Sequence, residues 1–166
     1  MKKIDTSNWG EFKIGDLFDA ERGKVKNLQS QEDGSTPVIA AAGYNQGIAG
    51  YYNVVPLYSR KITISCNGVG CGSTFYHPYE FNLNGDAIVL TETCQMSDFV
   101  KQFIACIMNG LLIRKYSYEE KCSADKARAE TIKLPVDANG EPDWAYMENY
   151  MCKIEEKVKS SLDKIM

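Results

Sequence analysis

A mixed α/β architecture of the α+β kind, in which a β-rich body carries one packed helix and is followed by a long carboxy-terminal helix, is predicted by three observations. Short apolar runs broken by Gly and Asn fill residues 36–91. An apolar three-four spacing begins after Ser97, and a second, regular over three heptads, follows the turn "DANGEP". Short β-branched and aromatic runs between turn residues favour strands, and three-four spacing favours helices. At 166 residues, with 44% apolar and 25% charged residues, the chain suffices for one core and an appended element. The expected division is 1–139 for the body and 140–166 for the helix.

The elements follow in order. Trp9, Phe12, Ile14, Leu17 and Phe18 read as a lead-in segment packed on the core, with Gly15 and Asp16 capping a short helical turn. "TPVIAAAGYNQGIAGYYN" alternates apolar runs with Gly and Asn, and β-rich runs at 62–66, 73–76 and 87–91 are separated by glycine clusters. From Ser97, a plausible N-cap, Phe99, Phe103, Ile104, Ile107 and Leu111 give one apolar face, weakened near its end by Gly110. Residues 115–131 are polar, and "TIKLP" returns to a short strand that Pro135 ends. Beyond the turn, positions 144, 147, 151, 154, 158, 161 and 165 carry Trp, Met, Met, Ile, Val, Ser and Ile. This is heptad spacing, and Pro142 and Asp143 suit a helix start running towards Met166. Most amphipathic helices fold back on their own sheet. The narrow, regular stripe instead favours pairing with a second long helix through Trp144, Met147, Met151, Ile154, Val158, Leu162 and Ile165.

Charge and motifs exclude several functions. The net charge of −3 rules out indiscriminate coating of nucleic acid, so any DNA contact must be local. "MKKIDTSNWG" lacks the apolar run of a signal peptide and no later stretch reaches membrane-spanning length, so a cytoplasmic location without membrane contact is expected. Cys66, Cys71, Cys94, Cys106, Cys122 and Cys152 are then expected as free, buried thiols. "GVGCG" at 68–72 lacks the Lys and Ser/Thr of a phosphate loop and reads as a hairpin turn. Pro142, Asp143, Glu155 and Lys157 mimic a nuclease pattern, but the last two lie on the heptad helix. Cys66, Cys71, His77 and Cys94 lack zinc-ligand spacing, and His77 precedes a proline in an expected turn. With one histidine and no Asn/Asp-Pro-Pro-Tyr tetrapeptide, no catalytic set and no metal site is expected.

"GSTPVIAAAGYNQGIAGYYN", "KITISCNGVGCGSTFY", "DAIVL" and above all "IKLPVDANGEPDWAYMENY" resemble the target-recognition domain and conserved helix of DNA specificity subunits of type I restriction-modification systems and the related fused type IIB systems. The resemblance spans nearly the whole chain and is most specific at the IxLP strand and the PDWxYME helix start. Full specificity subunits resemble two such units in tandem, so this chain resembles a half-subunit expected to act as a homodimer. The resemblance implies a non-catalytic reader of double-stranded DNA. It would have no cofactor of its own and would direct partner subunits to a bipartite target: an S-adenosylmethionine-dependent adenine methyltransferase and a restriction subunit.

Base reading requires side chains at base edges, together with contacts that position the DNA backbone. The candidates are Tyr44, Asn45 and Gln46 between two glycines, Tyr58, Ser59, Arg60 and Lys61 before a strand, and Asn67 after one. Asn and Gln match adenine, Arg guanine, and Lys phosphate. Lys121, Lys126 and Arg128 are expected on the DNA backbone. Two other classes stay open: a β-rich scaffold or ligand-binding module that self-assembles through its helix without DNA, and a stand-alone enzyme with a Cys/His metal site.

Overall fold

The structure is a computed structural model that describes residues 4–165; Met1, Lys2, Lys3 and Met166 lie outside the described residues. Among those residues a six-stranded sheet has the order β2-β7-β5-β6-β3-β4, formed by β2 (Phe18–Arg22), β3 (Asp33–Ile39), β4 (Ile48–Tyr52), β5 (Tyr58–Ser65), β6 (Thr74–Leu83) and β7 (Ala87–Glu92). Its pairings are antiparallel except that of β3 with β6. A two-stranded ribbon pairs β1 (Gly10–Lys13) with β8 (Thr131–Leu134). The mixed α/β expectation holds.

Period-two alternation gives the sheet two buried faces. Ile62, Ile64, Ile88 and Leu90 join the main core under α2 (Asp98–Lys115), with Phe103, Ile104, Met108 and Leu112. Ile39, Phe81, Leu83, Ala87 and Val89 form a smaller cluster. Ser97 caps α2, its Oγ accepting from the Val100 N–H at 3.3 Å. Residues 66–73 form the expected hairpin turn, with Gly68 and Gly72 left-handed at φ 68° and 86°. A Cβ at Gly72 would also collide with the Leu112 carbonyl.

Several boundaries differ from expectation. β6 runs through Pro78 to Leu83 instead of ending near 76. The sheet tolerates this proline because the register of β5 breaks between Ser59 and Lys61, opposite the stretch from His77 to Glu80. His77 therefore lies in a strand and is fully buried, not in a turn. The opening helical turn α1 (Ile14–Leu17) contains Gly15 and Asp16, and its caps are Lys13 and Phe18. The polar stretch at 115–131 holds α3 (Ala124–Ala129), too short to show a period and capped by Ser123. Cys66, Cys71 and Cys122 are buried, but Cys94 and Cys106 are exposed and Cys152 is half-buried; all six are free.

The last helix, α4 (Trp144–Leu162), starts after Asp143, whose carboxylate accepts from the Tyr146 N–H at 2.8 Å. Pro142 lies outside it, bridged to Val136 across the turn. Within that turn Asp137 accepts from the N–H groups of Asn139 and Glu141 at 2.8 and 3.1 Å, which hold its carboxyl below its ordinary pKa. Gly140 supplies the left-handed residue at φ 84°.

The first half of α4 departs from the pairing expectation: it folds back against α2. Met147 is fully buried in its own chain, Trp144 and Met151 pack on the same core, and Tyr150 meets Phe103 edge-on at 5.7 Å. Met147 can reach a second helix only by leaving that core. Ile154 is half-buried, whereas Val158, Leu162 and Ile165 are 52%, 55% and 82% exposed. Among the described residues no helix is long and apolar enough to cross a membrane.

Candidate nucleic-acid interface

The connection between β3 and β4 departs most from relaxed backbone geometry. Asn45, Gln46 and Gly47 are consecutively left-handed, at φ 49°, 53° and 76°. Glycine adopts this region freely and asparagine tolerates it, but a glutamine there costs about 1–2 kcal/mol. The loop is tied by Gly47 N–H to Tyr44 carbonyl at 2.9 Å, Ala40 N–H to Gly47 carbonyl at 2.8 Å, and Asn45 Nδ2 to Ile48 carbonyl at 3.4 Å. Tyr44 stands out at 77% exposure. Gln46 is exposed, yet its Oε1 accepts from the Tyr79 hydroxyl at 3.1 Å.

A second strained residue lies within β5. Tyr58 to Lys61 form the first half of this strand instead of preceding it, because they pair with β6 across the break in register. Arg60 is left-handed at φ 56°, at the break in register, and its guanidinium pairs with Asp98 at the start of α2. Lys101 lies beneath it, nearly sealed from solvent, donating to the Arg60 carbonyl at 2.7 Å and approaching Glu92 at 3.3 Å and Asp98 at 3.5 Å. Lys61 pairs with the other oxygen of Glu92 at 2.7 Å. Burial alone would raise the Glu92 pKa, but the Lys61 hydrogen bond and the Lys101 charge outweigh it and hold the carboxyl below its ordinary value. Three cations thus face two carboxylates, leaving a local positive excess on an acidic chain. Tyr58 donates to Glu21 at 2.9 Å, and burial followed by that carboxylate pushes its hydroxyl up to about 12. Ser59 is exposed beside it.

These two groups flank one stretch of β6. Tyr79, which holds Gln46, lies between His77, the register partner of Lys61, and Glu80, the register partner of Ser59. Asn67 lies elsewhere: the length of β5 separates it from Arg60, roughly 20 Å at 3.3 Å per residue. Its Nδ2 donates to Asp86 at 3.3 Å, and its Oδ1 is buried without a partner. Lys121, Lys126 and Arg128 form a third group around α3, which packs on β2 at the far edge of the sheet. Lys121 lies over the Tyr118 ring at 5.9 Å, Lys126 pairs with Glu120, and Arg128 lines an open hollow with Lys13, Asp16 and Asp125. The 44–46 and 58–61 candidates therefore both lie along β6, on its two sides, whereas Asn67 and the cations around α3 lie apart.

Sequence reasoning missed the groups that hold these side chains: Tyr79, His77, Glu92, Asp98 and Lys101. One signal was available, since Lys101 interrupts the apolar run of α2 between Val100 and Phe103. A lysine there must find an anion when buried.

Residues 6–164 match the family model described as the type I restriction modification DNA specificity domain. The chain belongs to this family. The specificity domain is 24% identical over 164 residues to the specificity subunit S.BcgI of a type II restriction enzyme from Heyndrickxia coagulans. That match takes in 95% of this chain and 47% of the relative, so the domain spans about half of the relative's length. Its fold matches the crystal structure of the S subunit of a type I restriction-modification system from M. genitalium, with a TM-score of 0.66 and 18% identity over 95% of this chain and 42% of the other. A second solved structure, described as bearing on complex assembly and conformational transition of the type I system, gives a TM-score of 0.60 at 13% identity, covering 96% of this chain and 41% of that one.

Proposed function

We propose that this chain reads DNA sequence for a restriction-modification complex and performs no chemistry itself. The observation that carries this reading is the match of residues 6–164 to a DNA specificity domain. The strained polar residues around β6 supply the physical means: Gln46 and Arg60 offer amide and guanidinium groups at fixed positions, and such groups discriminate base edges. Tyr44, Asn45, Tyr58, Ser59 and Lys61 surround them. Lys121, Lys126 and Arg128, around α3, serve backbone contacts, where position matters less than charge, and Asn67, with its amide tied to Asp86, is a separate polar candidate away from this group. A methyltransferase subunit using S-adenosylmethionine and a restriction subunit would carry the catalysis. The scaffold alternative gains nothing from the strain, because covering the exposed end of α4 with a second helix requires no left-handed glutamine.

The exposed half of α4 is the assembly element of this reading. Val158, Leu162 and Ile165 continue the heptad stripe beyond the part that packs on α2, and a second copy of the same helix would cover them in an antiparallel pair. Two domains on a two-fold axis read the same half-site, so the target is an inverted repeat with an unread spacer. Methylome sequencing of cells carrying this chain and its methyltransferase tests the reading: an interrupted, symmetric motif that vanishes with the gene is expected. Methylation unchanged by deletion would refute DNA reading, and a continuous or asymmetric motif would refute symmetric pairing. Leu162→Glu, at an exposed position that its own core does not use, should convert dimer to monomer in sedimentation.

A further inference from the structure

A polar chain, buried at its sheet end and open to solvent at the other, runs from the sheet to the strained loop. Thr63 Oγ1 lies 2.8 Å from His77 Nε2, His77 Nδ1 lies 3.1 Å from the Tyr79 hydroxyl, and that hydroxyl donates to Gln46 Oε1 at 3.1 Å. Thr63 and His77 are sealed from solvent, with Phe81 against the His77 ring at 4.9 Å. Burial pushes the imidazole down to about 4, so near neutrality it carries a single N–H. With the Gln46 amide oxygen facing the Tyr79 hydroxyl, the direction of every bond follows. Tyr79 gives its proton to Gln46, so its oxygen accepts from His77 Nδ1–H; the bare Nε2 accepts from the Thr63 hydroxyl.

An unanchored glutamine amide can rotate by half a turn and exchange its donor with its acceptor. Gln46 is held at both levels: its backbone by the left-handed loop and its amide oxygen by Tyr79. The Nε2 donors, which meet no acceptor among the described residues, remain available, as does the second lone pair of Oε1. Adenine is the base whose major-groove edge pairs an acceptor, N7, with a donor, N6.

We propose that Tyr79, set by His77 and Thr63, is a positioning residue that locks the Gln46 amide in the orientation that reads adenine. This rests on the reading of the 44–47 loop as base-contacting. In the complex with the cognate methyltransferase, methylation is measured on duplexes substituted at each position of the motif. Gln46→Ala should lose discrimination at one A·T pair by roughly 5- to 150-fold. Tyr79→Phe, which removes one hydroxyl from a ring that otherwise stays in place, should lose roughly 2- to 10-fold at that pair alone. The double variant should match Gln46→Ala, and affinity for DNA lacking the motif should not change. Loss spread evenly over all positions, or additive loss in the double variant, would make Tyr79 a structural residue or a separate contact and overturn the inference. If Gln46→Ala leaves every position intact, the base-contacting reading of the loop falls with it; if Gln46→Ala acts and Tyr79→Phe does not, only the positioning role falls.

Discussion

The Arg60 region and the α3 region both present basic side chains, but they are built differently. Arg60 sits on strained backbone, its carbonyl held by buried Lys101 and its guanidinium by Asp98, within a network that Glu92 and Lys61 complete. Lys126 and Arg128 lie on the six-residue α3 and Lys121 lies just before it; all three are exposed, Lys126 pairing with Glu120 and lying over the Tyr116 ring at 6.0 Å. A guanidinium whose direction is imposed by neighbours can distinguish one base edge from another. An exposed cation at the end of a flexible stem can neutralise a phosphate wherever one passes. The contrast teaches that charge alone does not mark a reading residue; the groups that restrain it do.

The largest expected effect tests whether the Arg60 region is held as described. Lys101→Met removes the cation between Glu92 and Asp98 while roughly preserving volume, and should cost about 2–4 kcal/mol of folding stability, below the full value for a sealed pair because both carboxylates keep some solvent. Chemical denaturation checks this; an unchanged midpoint would mean that the network holds nothing.

A second test uses pH. The folded pKa of His77 is depressed to about 4, so between about 6.5 and 4 the unfolded chain binds more protons than the folded one. Stability should be complete above about pH 6.5 and decline as pH falls through that window, by up to about 3 kcal/mol in all. Glu92, whose folded pKa is lowered, adds to the loss only below the ordinary carboxylate range. His77→Gln should flatten the decline between pH 6.5 and 5. Parallel pH curves for the two proteins would contradict the neutral, buried imidazole.

The smaller effects separate the two regions directly. Arg60→Ala should lose about 1–3 kcal/mol of discrimination at one base pair in each half-site. Lys126→Ala should weaken binding to every sequence slightly and lower the slope of log affinity against log salt by about 0.9. Binding competition at two or more salt concentrations distinguishes these outcomes, and identical behaviour of the two variants would erase the contrast.

The sequence carried the fold wherever a period was long enough to see. The apolar spacing from Ser97 gives α2, and the β-rich run at 87–91 gives β7 nearly to the residue. It failed where a partner strand decided the matter. Pro78 ends a strand by its own chemistry, yet continues β6 because the break in β5 lies opposite. Of the candidate site, the glycine-flanked 44–46 stretch and the 58–61 stretch were legible from turn chemistry and charge. Their union around Tyr79 was not, since β6 is remote from residue 46 in sequence and nothing local signals that they meet. Likewise, heptad spacing showed a stripe on α4 without showing which half the chain uses for itself.

That division of α4 has a mechanical consequence. Anchored only at the Asp137 turn, the helix would be a cantilever of about 28 Å, and a swing of about 10° would carry its tip some 5 Å, more than one base-pair rise of about 3.4 Å. Because Trp144, Met147 and Met151 are clamped to the core, the free length begins near Ile154 and shrinks to roughly 12 Å, and the same swing moves the tip by about 2 Å. In the proposed pair, packing the first turns inward reduces play at the joint to less than the step between neighbouring base pairs, so the two reading heads would accept one separation and reject those a single pair longer or shorter.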